Sequence, residues 1–142
     1  MNRPSSKRPI RLASLVTALN VLIASGFAIT GLISPKSILP VGSAPTEASL
    51  LFALYAAARA IPLALITLAA IYKRSASALI VLGLLAGFIQ LADAAIGILQ
   101  GDPGKTFGPL IIAGLQFYAV LKLSKSANPM TPQNAAMGVR NP

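Results

Sequence analysis

Residues 12–33 run for 22 positions without a charged side chain. A bilayer core about 30 Å thick is crossed by roughly 20 apolar residues in a helix that rises 1.5 Å per residue. Three more such runs follow. Residues 48–72 carry one charge, Arg59, and residues 75–100 carry one, Asp93. Residues 106–121 carry none, and this run extends to 123 because Lys122 can snorkel to the headgroups. Backbone amides in lipid must be satisfied within the segment, so runs of this length predict helices; a barrel would show short alternating segments instead. The fold class expected is all-α, an integral membrane four-helix antiparallel bundle over residues 12–123, with spans at about 12–33, 48–72, 75–100 and 106–123. Residues 1–11 read as a basic cytoplasmic segment. Residues 124–142, punctuated by Pro, Asn and Gly, read as a disordered cytoplasmic tail.

The basic residues orient the spans. Arg3, Lys7, Arg8 and Arg11 precede the first, Lys73 and Arg74 join the second to the third, and Lys122, Lys125 and Arg140 follow the fourth. The other two connections hold Lys36 and Lys105 alone. Nine against two places both termini and the central turn in the cytoplasm of a cell-membrane protein. The first span is read as an uncleaved anchor, because its apolar run exceeds the roughly 7–15 residues of a signal-peptide core. Lys73-Arg74 and Gly101-Asp102-Pro103-Gly104-Lys105 are tight turns, so the second, third and fourth spans are expected as sequential neighbours. The longer link over residues 34–47, with Pro35, Pro40 and Pro45, is expected to cap the outer face. Thr46-Glu47 reads as a helix start.

Composition removes several kinds of chemistry. Cysteine and histidine are absent and there are only three acidic residues, Glu47, Asp93 and Asp102. Disulfides, thiol nucleophiles, His-dependent triads and His or Cys metal sites are excluded, and no cofactor or metal is expected. The net charge of +9 sits at the ends of apolar runs rather than on a basic face with interleaved aromatics. It therefore points to membrane lipids and not to nucleic acid.

Arg59 and Asp93 are the residues most suited to a function. An ionised group in the hydrocarbon costs about 2.5–3.5 kcal/mol on insertion scales, so it is expected to face the bundle interior and find a partner. At 1.5 Å per residue Arg59 lies about 16 Å and Asp93 about 9 Å below the outer ends of their spans, an offset of about 7 Å that predicts a direct or water-bridged pair. Tyr55 lies one turn outward of Arg59, and Gln90 three residues before Asp93, so these four residues form the candidate ligand-binding set. Gln100 falls near the Asp93 azimuth, and Pro62 is expected to kink the helix beside Arg59. Thr17 and Asn20 share a face of the first span and Gln116 sits mid-depth in the fourth. Taken singly, Asn20 and Gln116 read as interhelical hydrogen-bonding residues.

Two motifs are weaker. Gly83-Leu84-Leu85-Ala86-Gly87 is a GxxxG element and Gly97 with Gly101 makes another; contact within the bundle is the first expectation and a homodimer contact the second. Gly104-Lys105-Thr106 looks like the end of a P-loop, but position 99 is Leu where the motif needs Gly and no strand precedes it, which rejects a nucleotide site.

The sequence resembles a family of small four-span membrane proteins of unknown function, similar in layout to DoxX-like proteins. The matching features are Gly26-Phe27…Gly31-Leu32…Pro35 leaving the first span, Ala57-Ala58-Arg59 at the centre of the second, and Asp93 in the third. Ala60 and Pro62-Leu63 stand where that pattern often has a polar residue and then a glycine. The resemblance covers about residues 12–123 and implies a four-helix membrane bundle without an assigned activity. The leading functional expectation is a protein that binds or carries a small amphipathic ligand in an intramembrane pocket at Arg59, Asp93, Tyr55 and Gln90. The alternatives are a membrane-embedded isomerase- or cyclase-like enzyme with Asp93 as general acid, and a structural or accessory membrane subunit.

Overall fold

The computed structural model describes residues 7–40 and 42–127; Arg3, Arg140 and the tail expected beyond residue 127 lie outside them. The described chain is a four-helix bundle: α1 (Lys7–Ile33), α2 (Glu47–Tyr72), α3 (Ala76–Leu99) and α4 (Pro103–Ala127), with a short 3-10 turn at Pro35–Ser37. Each helix is long and apolar enough to cross a membrane. The helices overrun the apolar stretches. Lys7, Arg8 and Arg11, expected to precede the first helix, ride on its opening turns, and α4 has 25 residues rather than a short span.

Local chemistry sets the ends. At α2 the Thr46 side chain accepts from the Ser49 N–H at 3.1 Å while the Ser49 hydroxyl oxygen accepts from the Thr46 N–H at 2.9 Å, a reciprocal capping box with Glu47 in the first turn. At α3 the Ser75 hydroxyl oxygen accepts from the Ala78 N–H. At α4 Asp102 Oδ1 accepts from the N–H groups of Gly104 (3.0 Å) and Lys105 (3.2 Å), with Pro103 at the first helical position. The Lys105 N–H above all, with its ammonium and the Gly104 N–H, holds the Asp102 carboxyl below the ordinary carboxylate range, against a smaller desolvation effect. The α2–α3 turn places Arg74 at φ 51° and the α3–α4 turn places Gly101 at φ 63°; the left-handed region is open to Gly without penalty. Pro62 lies inside α2, which remains one continuous helix.

Small residues decide which helices come close. In α3, a Cβ added at Gly83 would fall 2.6 Å from Val120 and 2.7 Å from the Gln116 amide nitrogen, and one at Gly87 would fall 2.8 Å from Phe117. The GxxxG element thus seats α3 on α4, the most extensive helix pair, as expected of contact within the bundle. The other glycine pair divides: Gly97 meets the backbone of Lys105 and Thr106, whereas Gly101 turns the chain.

The expectation that spans two, three and four are successive neighbours holds only for α3 and α4. Instead α2 lies along α1 and meets α3 sparsely. The cause is its inward stripe of Ala53, Ala57, Ala60, Ala64 and Thr67, small enough for close approach to α1. Gly31 of α1 faces Ala53, and the Ser25 hydroxyl donates to the Ala60 carbonyl at 3.4 Å. Contact between α2 and α3 gathers by their turn, where Ala70 and Leu79 are buried in one cluster with Ala13, Ala119 and Leu123.

Candidate functional site

Four polar side chains are buried together in the middle of the bundle. Gln90 Nε2 of α3 donates to Asn20 Oδ1 of α1 at 2.7 Å, and Asn20 Nδ2 donates to Gln116 Oε1 of α4 at 3.3 Å. Gln116 Nε2 donates in turn to Thr17 Oγ1 of α1 at 2.8 Å. The four are at most 3% exposed, and the ladder ties three helices at one level. Gly83 makes room for it, being in contact with the Gln116 amide. This agrees with the interhelical roles read for Asn20 and Gln116. Gln90, grouped with Arg59, Asp93 and Tyr55 from the sequence, has its amide engaged in this ladder. Thr67 is also fully buried, and its hydroxyl has no hydrogen-bond partner among the described residues.

Arg59, Tyr55 and Asp93 are exposed. Among the described residues the ion pair is Lys105 with Asp102, so the expected pairing of Arg59 with Asp93 inside the chain is not formed. Helix geometry explains why. At about 100° per residue, Arg59 is turned about 200° from the buried Ala57, while Asp93 is turned about 60° from the buried Gln90. The charges are therefore carried at the flanks of their helices. Arg59 lies within about 20° of the azimuth of Ala70, which is buried with Ala13 of α1, Leu79 of α3 and Ala119 and Leu123 of α4. Gly87, on the other side of Gln90, faces Phe117 of α4, and Gly97, about 40° from Asp93, meets the α4 backbone at Lys105 and Thr106. Tyr55, 54% exposed, is one turn from Arg59 on the same side.

Counted from Ala70 and Leu79, which are buried in one cluster by the α2–α3 turn, Arg59 stands about 16.5 Å along α2 and Asp93 about 21 Å along α3 towards the outer end. On that count the two charges differ in depth by about 4–5 Å.

At the outer end Lys105 acts as a clasp. Its ammonium donates to the Ile38 carbonyl at 3.2 Å and to Gln100 Oε1 at 3.1 Å, and lies 3.5 Å from Asp102 Oδ2. Gln100, expected near Asp93, is thus engaged with Lys105. At the other end the Lys122 ammonium stands over the Tyr118 ring, 5.5 Å from its centroid. A shallow groove of about 420 Å³ is lined by Ile23, Gly26, Phe27, Thr30, Ser37 and Ile38, apart from the two charges.

Compared with known proteins, the chain matches no family model, no curated protein and no solved structure. Four helices of this length and hydropathy make it a multi-pass membrane protein.

Proposed function

We propose that this protein is a non-catalytic assembly subunit of the cell membrane, both termini cytoplasmic, whose α2–α3 flank is covered by another polypeptide. One observation carries the reading. The four side chains of the ladder are hydrogen-bonded to one another inside the bundle, while Arg59 and Asp93 are exposed on membrane-length helices without an ion-pair partner among the described residues. Ionised groups in hydrocarbon require one.

Depth favours a protein over a lipid headgroup. Arg59 is 12 residues into the 26 residues of α2, about 18 Å along a helix about 39 Å long. Headgroups lie at the membrane surface, whereas a neighbouring helix carries side chains to that level. The ligand-binding reading keeps Arg59, Asp93 and Tyr55 as exposed groups but loses Gln90 to the ladder. The enzymatic reading has no second polar group hydrogen-bonded to Asp93 among the described residues to support proton transfer.

The test is native mass spectrometry of the full chain from mild detergent, with Arg59→Gln and Asp93→Asn alongside. An assembly subunit gives a protein complex that either substitution weakens at least tenfold. A bound small molecule lost in both variants, with the chain monomeric throughout, overturns the proposal in favour of ligand binding.

A further inference from the structure

Resting on that reading, we infer that the covering polypeptide is a second copy of this chain, arranged two-fold so that Arg59 of each copy meets Asp93 of the other. Complementarity in charge and depth points to it. A partner must bring a carboxylate opposite Arg59 and a cation opposite Asp93. This chain carries one of each, both exposed, on α2 and α3. In a two-fold interface a contact from residue i to residue j is repeated from j to i, so both charges on both copies are satisfied and none is left over.

A two-fold axis along the membrane normal preserves depth. Arg59 of one copy and Asp93 of the other are then offset by the same 4–5 Å as within a copy, a gap that a long arginine side chain spans. Beyond the cluster of Ala70 and Leu79, α2 and α3 meet each other only sparsely. Beside the charges, the exposed Ala56, Ala58 and Ala92 allow close approach, and Tyr55 supplies a ring and a hydroxyl at the edge.

Charge reversal distinguishes a pair between copies from a pair within one. Arg59→Asp puts two acids on one chain, and Asp93→Arg puts two bases on the other. Alone, each variant should lose at least tenfold in dimer fraction, measured by native mass spectrometry and by cross-linking in membranes. Co-expressed with different tags, they should form a heterodimer, because Asp at 59 of one copy meets Arg at 93 of the other and the native residues form the second pair. The chain has no cysteine. Arg59→Cys in one tagged copy and Asp93→Cys in the other should therefore join with a short bifunctional thiol reagent, without background.

Failure of the co-expressed reversals to assemble, with the doubly reversed single chain behaving as wild type, assigns the pair within one copy and overturns the inference. A 1:1 complex with a different protein that Arg59→Asp abolishes also overturns it, while leaving the assembly role standing. A monomer retaining a small molecule overturns both. If either single reversal fails to accumulate, Arg59→Gln and Asp93→Asn replace them in the dimer measurement, and the cysteine pair decides independently.

Discussion

Asn20 occupies the turning point of the buried ladder, since its amide oxygen accepts from Gln90 and its amide nitrogen donates to Gln116. Asn20→Val removes both bonds at once and leaves a buried donor and a buried acceptor unmatched. The expected loss is about 1–3 kcal/mol, read as a lowered thermal unfolding midpoint in detergent. Thr67→Val is the contrasting case, because that hydroxyl is buried without a partner. It should be neutral within about 0.5 kcal/mol or stabilising. At this scale the sequence was partly legible. Asn20 and Gln116 could be read as bonds between helices because amides deep in apolar runs have little else to do. Gln90 lies three positions from Asp93, close in distance yet about 60° away in direction, which sets a buried amide beside an exposed carboxylate.

The closeness of α3 and α4 at their shared turn depends on a missing side chain. A Cβ at Gly97 would stand 2.5 Å from the carbonyl carbon and oxygen of Lys105 and 2.6 Å from Thr106 N, all backbone atoms that cannot rotate aside. Gly97→Ala should therefore push the helices apart and cost about 1–3 kcal/mol. Gly114→Ala, with nothing within 4 Å, should leave the midpoint unchanged in the same melting experiment. The spans themselves were readable from hydropathy, since lipid demands both length and apolarity. Their ends were less so. Lys7, Arg8 and Arg11 continue the helix into the interface, where charge is no obstacle, and the start of α4 is set by the Asp102 cap with Pro103, a signal that hydropathy does not weigh.

At the scale of the molecule, α1 contacts all three other helices, and the described basic residues Lys7, Arg8, Arg11, Lys73, Arg74, Lys122 and Lys125 stand at one end of an up-and-down bundle. The orientation proposed from them has a direct check in a chain without cysteine. Lys36→Cys should react with a membrane-impermeant thiol reagent in intact cells, and Lys73→Cys only after permeabilisation; the reverse pattern would invert the topology. Where α2 lies was not legible, because a two-residue turn binds its end to α3 while its alanine stripe, equally present in the sequence, favours α1. A further consequence concerns motion. The amide ladder fixes three helices at a common height, so sliding any one by a turn, about 5.4 Å, would strand donors and acceptors in an apolar interior with no water to replace them. Transport by helices slipping past one another is thereby disfavoured in α1, α3 and α4, and the freedom to shift belongs to α2, which takes no part in that amide ladder.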